Sequence, residues 1–239
     1  MKNNTLRTIT FLVLIFIGFT GAYAQEISVG TDIVSRYIWR GFDLGSDVPS
    51  IQPTVEFDAG GFGIGFWGAY PIASPGALNE VDIYTSYGFD LAESGNLSIG
   101  VTDYTNPNSG TKYGNFNNYD DPQGPGAHFL EANLNYSGPE KFPISLSFNI
   151  FFYNVENNPI YFQVGYAAKV KDVGVDFFVG GTPGEKAFYY GTDQFNLINA
   201  GITASKEIKV TDSFSLPVFG SVILNPNSQD LFFVFGFSL

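Results

Sequence analysis

Hydrophobic and polar residues alternate along most of this chain, and the alternation begins in EISVGTDIVSRYIWRG, residues 26–41. At period two, one face of this stretch is apolar and ends in Tyr37 and Trp39. The opposite face carries two acids together with Arg36 and Arg40. A strand places alternate side chains on opposite faces of a sheet, so the stretch predicts a two-sided strand. Taken alone, it fits a soluble sandwich as well as a barrel.

The same alternation recurs along the rest of the chain and predicts an all-β protein of about twelve strands. The clearest segment is residues 80–91, where apolar residues alternate with acids, serine and glycine. Gly60-Gly61 and Lys171-Asp172 are tight turns between neighbouring segments. The predicted strands are residues 26–41, 50–59, 62–70, 80–91, 97–104, 127–136, 144–153, 160–170, 173–180, 195–206, 214–224 and 230–239.

Connections between these strands alternate between short turns and longer loops. The longer ones are residues 41–49, 71–79, 105–126, 154–159, 181–194 and 225–229. Outer-membrane barrels have short periplasmic turns, longer external loops and an even number of strands in a single chain. The pattern therefore predicts a transmembrane antiparallel up-and-down β-barrel over residues 25–239, with both ends of the barrel chain on the periplasmic side.

Residues 1–24 resemble a secretory signal peptide that is cleaved from the mature chain. Lys2 and Arg7 precede an apolar run, and Ala22-Tyr23-Ala24 fits a cleavage site with small residues. The run of about eleven apolar residues is shorter than the roughly twenty that a membrane-spanning helix needs. Export from the cytoplasm is the prediction, with a retained membrane anchor as the alternative.

Composition supports an exported membrane barrel. The chain has 25 Phe, 14 Tyr and 28 Gly but one Met, and no helical period persists beyond a turn or two. The absence of cysteine excludes a disulfide framework. Without Lys2 and Arg7, 9 basic residues face 23 acidic ones, a net charge of −14. Such an acidic chain is not expected to bind nucleic acid, which requires clustered Lys and Arg.

Several motifs resemble the TorF-type family of outer-membrane porins, which is also known as Gcw_chp. They are Ser35-Arg36-Tyr37-Ile38-Trp39-Arg40-Gly41, Pro49-Ser50-Ile51-Gln52-Pro53, Phe66-Trp67-Gly68, Asn79-Glu80-Val81-Asp82-Ile83-Tyr84, Tyr87-Gly88 and Phe129-Leu130-Glu131. The resemblance implies a barrel in the outer membrane of a Gram-negative cell and, for most members, no known substrate. The ending LFFVFGFSL also resembles the terminal signal read by the barrel-assembly machinery, the predicted protein partner.

Charged residues on the polar faces are the candidate pore lining. On a strand, Arg36 and Arg40 would lie about 13 Å apart and face carboxylates on neighbouring strands. Arginine opposite carboxylates creates a transverse field, and charged rings set the selectivity of pores. The alternative is a closed network of ion pairs that plugs a narrow barrel. The predicted lining residues are Asp32, Arg36, Arg40, Glu56, Glu80, Asp82 and Glu131.

The loop of residues 105–126 is long enough to be functional or disordered. Its aromatic and acidic residues are candidates for a constriction of the pore. Alternatively, its aromatic side chains rest on the barrel rim. The predicted constriction residues are Tyr113, Phe116, Tyr119, Asp120 and Asp121. The Asn and Asp side chains of the loop supply oxygen atoms that could bind Ca²⁺, but they lack the spacing of a calcium-binding loop. Neither a metal nor a cofactor is therefore predicted.

His128 is the single histidine and invites comparison with outer-membrane phospholipases, which use a Ser–His pair on the outer wall. Such a pair needs a serine within hydrogen-bond reach of the ring. The neighbouring strands offer Asp103 and Thr105 but no outward serine, so no enzyme activity is predicted.

Two functions follow from the sequence. The first is a pore for passive diffusion of small hydrophilic solutes, preferring cations or neutral molecules because acids outnumber bases. The second is a non-conducting barrel that presents its external loops for adhesion or assembly.

Overall fold

A computed structural model describes residues 25–72, 74, 77–184 and 189–239. In this part of the chain, twelve antiparallel strands close into a barrel, which confirms the predicted fold class. The predicted signal peptide, residues 1–24, lies outside the described residues. No helix in the described ranges is long and apolar enough to cross a membrane.

Each barrel strand pairs with its neighbours in chain order, and a separate two-stranded hairpin follows the first strand. A short 3₁₀ helix, Ala92–Ser94, lies in one connection. The strands are β1 Gln25–Val34, β2 Ile38–Trp39, β3 Phe42–Asp43, β4 Ser50–Ala59, β5 Phe62–Pro71, β6 Glu80–Asp90, β7 Asn96–Thr105, β8 Phe129–Ser137, β9 Ile144–Tyr153, β10 Ile160–Val170, β11 Val173–Thr182, β12 Asn196–Lys209, β13 Ser215–Asn225 and β14 Asp230–Ser238.

The barrel closes where β1 pairs with β14, its last strand. Thr31 and Leu239 exchange backbone hydrogen bonds of 3.1 and 2.9 Å. The Ser238 hydroxyl donates to Asp32 Oδ1 over 2.6 Å. This seam satisfies backbone groups that an open sheet would expose at its edges.

Alternation along the strands gives the barrel an apolar outer wall and a polar inner wall. Val29 is 75% exposed and Phe235 is 67% exposed, as expected for side chains on the outer wall. Gln52, Asp82 and Asn149 are buried on the inner wall. An apolar surface of this extent marks contact with an apolar environment or a partner.

The connections alternate between the two ends of the barrel, as the sequence predicts. One end holds both ends of the barrel chain and residues 60–61, 91–95, 138–143, 171–172 and 210–214. The other end holds residues 35–49, 72, 74, 77–79, 106–128, 154–159, 183–184, 189–195 and 226–229.

The predicted first strand is too long. Strand β1 ends at Val34, and residues 35–49 turn into the barrel, where β2 and β3 form the hairpin. Arg40 and Gly41 have φ values of 49° and 82° at the hairpin tip, which no continuing strand accommodates. The alternation puts Tyr37 and Trp39 on the apolar face of the predicted strand, opposite the lumen-facing arginines, and the hairpin instead carries both rings into the lumen.

Candidate functional site

The inner hairpin, defined as residues 35–49, crosses the lumen and contacts the wall on opposite sides. Tyr37 packs against Trp67 of β5 with ring centroids 5.3 Å apart. Trp39 contacts Tyr104 of β7 at 6.0 Å. On the far side, the Asn225 side chain of β13 donates to the Gly41 carbonyl over 3.2 Å. The hairpin therefore divides the lumen into an outer part, near the long loops, and an inner part.

Arg40 forms an ion pair at the centre of the layer that divides the lumen. Its Nη1 and Nη2 donate to the two carboxylate oxygens of Glu131 over 2.6 and 2.8 Å. Glu131 is fully buried and accepts further bonds from the Tyr104 hydroxyl and the Asn133 amide, both at 2.9 Å. A bidentate Arg–carboxylate pair whose carboxylate accepts further hydrogen bonds is strong and directional. It fixes the hairpin tip to β8.

Aromatic rings surround the guanidinium of Arg40. Its Cζ lies 4.4 Å from the ring centroid of Trp39 and 4.5 Å from that of Tyr161. Nη1 also donates to the Tyr190 hydroxyl over 2.6 Å. Burial raises the pKa of Tyr190 well above the usual tyrosine value, so this hydroxyl stays neutral. Cation–π contacts and hydrogen bonds together replace the water that a buried guanidinium loses.

A bulge in β12 completes the packing beneath the hairpin. Gly180 pairs with Asn199 and Gly181 pairs with Leu197, so Ile198 is unpaired. Ile198 is fully buried against Tyr161 and Tyr190, and Asn199 bonds to Tyr161. Strict alternation predicts Ile198 on the outer face, and the bulge re-aims it into the lumen.

Cavities remain on both sides of the hairpin layer. Toward the long loops, a cavity of about 750 Å³ lies between the hairpin and β14. A second, of about 320 Å³, lies between the hairpin and β6 to β9. Toward the short turns, a cavity of about 310 Å³ is lined by Arg40 and by polar residues, among them Thr102, Asn133 and Asn149.

The predicted pore-lining residues lie on the inner wall or the hairpin, but they pair differently from the prediction. Arg36 pairs within the hairpin, with Asp43 at 3.3 Å and Asp47 at 2.5 Å. Arg40 pairs with Glu131, and among the described residues neither arginine pairs with Glu56, Glu80 or Asp82, the carboxylates that they were expected to face. The strand register caused the error, because both arginines lie beyond the end of β1.

The remaining predicted acids lie along the lumen. Asp32 accepts from Ser238 at the seam, and Glu56 accepts from the Tyr84 hydroxyl over 3.2 Å. Glu80 accepts from the Tyr37 hydroxyl over 3.3 Å. Asp82 is 6% exposed, and its Oδ1 has no hydrogen-bond partner in the described part of the chain.

The loop of residues 106–128 folds over the outside of the barrel rim. Phe116 stacks on His128 with ring centroids 4.0 Å apart, and Tyr113 meets the same ring edge-on at 4.8 Å. His128 bonds to Asp103, which alternates with the lumen residues Thr102 and Tyr104 and so lies on the outer face. The structure thus places Tyr113 and Phe116 at the rim, which was the alternative to a constriction.

The other predicted loop residues also lie away from the hairpin contacts. Tyr119 and Asp120 are exposed, and Asp121 accepts from the Gln123 amide within a loop turn. Across the described ranges, no group of three or more His, Cys, Asp or Glu residues is arranged to hold a metal.

Both ring nitrogens of His128 lie 2.7 Å from an oxygen acceptor, one on Asp103 and the other the carbonyl of Tyr113. A ring with an acceptor at each nitrogen is suited to fastening the loop to the wall. Neither contact is to a serine.

Sequence reasoning missed the tyrosines that surround the Arg40–Glu131 pair. Tyr104 and Tyr161 are ordinary members of alternating strands, and Tyr190 lies in a connection with no period. Nothing in the local pattern brings these distant positions together. The Tyr189-Tyr190 pair in a polar loop is the local signal that could have drawn attention to this part of the chain.

Comparison with known protein families matches residues 19–214 to the Gcw_chp model, which describes a bacterial protein of unknown function. No curated protein matches the chain.

Proposed function

The chain belongs to the Gcw_chp family of bacterial proteins, and from this premise we propose an outer-membrane channel for passive diffusion of small hydrophilic solutes. The inner hairpin narrows its lumen. The resemblance to TorF-type porins agrees with this proposal. The leader predicted in residues 1–24 would export the chain, and the aromatic strand β14 would be recognised by the barrel-assembly machinery.

The outer wall supports placement in the outer membrane. Apolar residues such as Ile27, Phe66 and Phe233 are at least half exposed, which would be costly in water. In lipid the same residues would contact hydrocarbon, and the pairing of β1 with β14 closes the sheet into a barrel. The long loops would face the exterior and the short turns the periplasm.

The observation that carries the channel proposal is the polar inner wall on both sides of the hairpin layer. Thr102, Asn133 and Asn149 form a hydrogen-bonded row toward the short turns, with donor–acceptor distances of 2.9 Å. Because Arg36 and Arg40 are neutralised by hairpin and wall carboxylates, the other lumen acids favour cations or neutral solutes.

One observation favours a second function, a non-conducting barrel that presents its external loops. Glu131, Tyr190 and Ile198 are fully buried at the hairpin layer, as in a solid core. If the hairpin never moves, this layer would block the lumen.

Solute uptake by proteoliposomes distinguishes the two functions. The refolded mature chain would be reconstituted, and swelling rates would be measured with a series of neutral sugars of increasing size. Swelling that declines with size, together with a cation-selective reversal potential in a KCl gradient, supports the channel. Absence of swelling from a correctly folded barrel supports the second function and contradicts the first.

A further inference from the structure

The cavity of about 320 Å³ beside the hairpin has a lining that differs from the rest of the lumen. We refer to it as the aromatic cleft. It opens toward the long loops, and most of its lining is ring or aliphatic surface. Among the described lining residues, Glu80 is the one that carries a charge. The lining residues are Trp39, Leu44, Leu78, Glu80, Tyr104, Asn106, Phe129, Phe151 and Tyr189.

The rings of the cleft are held in place by one another. Tyr104 and Phe151 lie 5.5 Å apart between centroids, and Phe151 and Tyr189 lie 5.1 Å apart. Trp39 meets Tyr104 edge-on at 6.0 Å. A wall made of mutually packed rings presents fixed aromatic surface to anything that enters.

Two carboxylates occupy the same inward face of β6 at this level. Glu80 lines the cleft, is 9% exposed, and accepts a hydrogen bond from the Tyr37 hydroxyl. Asp82 follows two residues later, and its buried Oδ1 has no hydrogen-bond partner among the residues that the structure describes. Within the described ranges, the arginine and lysine ion pairs go to other acids. Burying a carboxylate is costly, and a cation placed beside it offsets that cost, so a cation at this place would be stabilising.

We propose that the aromatic cleft binds small organic ammonium ions that carry an apolar group. The ammonium would meet the Glu80 carboxylate and the aromatic ring faces, which both attract cations. The apolar group would be covered by Phe129, Phe151 and Leu78. A metal ion is a poor match, because the cleft offers one carboxylate and mostly apolar surface.

This inference deepens the proposed function. It rests on that function only for the side of the membrane from which the ligand arrives. Binding itself requires the folded barrel and no conduction. A chain that binds ammonium ions without conducting would defeat the channel proposal alone. A chain that conducts without binding them would defeat this inference alone.

The test is a fluorescence titration of the refolded mature chain with phenethylammonium. The chain has two tryptophans, so a Trp67→Phe background leaves Trp39, in the cleft wall, as the reporter. Neutral 2-phenylethanol and anionic 3-phenylpropionate are the matched probes of similar size. We expect saturable binding of the cation at least about tenfold tighter than that of either matched probe.

Substitution of the carboxylate locates the binding. Glu80→Gln keeps the shape and the Tyr37 contact, and we expect it to weaken phenethylammonium binding about tenfold or more. Glu80→Asp retains the charge and is expected to recover part of the affinity. Asp58→Asn, which removes a carboxylate from β4 near the short turns, serves as the control for net charge.

Equal affinity for the three probes would reduce the cleft to an apolar surface and overturn the proposal. Unchanged binding in a Glu80→Gln variant that retains the barrel's circular dichroism would overturn it too. If that variant does not fold, the comparison of the three probes on the unsubstituted chain still decides whether the cleft prefers cations.

Discussion

At Arg40 a left-handed backbone conformation aims a guanidinium at the far wall of the barrel, where Glu131 receives it in a bidentate pair. The sequence predicted Arg40 and Glu131 as lumen residues from the alternation of their segments. It could not predict that they pair, because 91 positions separate them and the hairpin that joins them interrupts a continuous period-two pattern.

Removing one partner of this pair should destabilise the barrel. Glu131→Gln leaves the guanidinium buried without a counter-charge, and the expected loss is about 3–5 kcal/mol of unfolding free energy. Arg40→Met combined with Glu131→Gln should recover most of it, because no unpaired charge remains. Urea unfolding in lipid vesicles, followed by tryptophan fluorescence, measures the difference. Lys209→Ala, at an exposed ion pair, is the control.

If the double variant is as unstable as the single one, the pair does not hold the hairpin to the wall.

Gly41 tests the contact between the hairpin tip and β12. A Cβ added at Gly41 would lie 2.0 Å from the Ile198 carbonyl oxygen, so Gly41→Ala must move the hairpin. We expect larger conductance and lower stability. Gly110 has a φ of 89°, close to the 82° of Gly41, with no atom within 4 Å of its added Cβ. Gly110→Ala therefore carries the same backbone strain without the clash, and its conductance should match the wild type. Equal conductance and equal stability of the two variants would mean that the hairpin tip is not packed closely against β12.

Among the elements, the barrel strands were predictable and the inner hairpin was not. Strand β6 combines a long alternation with a polar inner face, and its observed bounds Glu80–Asp90 nearly match the predicted 80–91. Strand β1 alternates equally well through residue 39, although the chain leaves the sheet after Val34. A period of two marks a half-buried segment both in the barrel wall and in the inner hairpin. Only the tertiary contacts therefore decide where the strand ends.

The bulge in β12 gives a prediction at the level of one strand. Ile198→Ala removes a fully buried side chain from beneath Tyr161 and Tyr190 and should cost about 2–5 kcal/mol. Ile202 lies on the outer face of the same strand and is 38% exposed. Ile202→Ala removes an equal volume and should cost less unfolding free energy. Urea unfolding of both variants makes the comparison. Equal losses would mean that Ile198 faces outward, as strict alternation predicts.

For the whole molecule, the arrangement of loops and turns predicts which end faces the exterior. The chain has no cysteine, so a single introduced thiol reports its own position without background. A membrane-impermeant maleimide on intact cells should label Asp47→Cys, in the exposed hairpin base, and leave Lys171→Cys, in a short turn, unlabelled. Both variants should react after lysis. Labelling of Lys171→Cys alone in intact cells would mean that the barrel is inverted.

If the inner hairpin narrows an otherwise open polar lumen, its removal should widen the pore. Single-channel conductance in a planar bilayer tests it most directly, by comparing the wild type with a variant whose residues 36–47 are replaced by a short Gly-Ser linker. Val34 pairs with Ser50, so the linker spans adjacent strand ends and leaves the barrel register intact. We expect steady steps in the variant that are several times larger than those of the wild type. Equal conductance of the two folded barrels would contradict the claim.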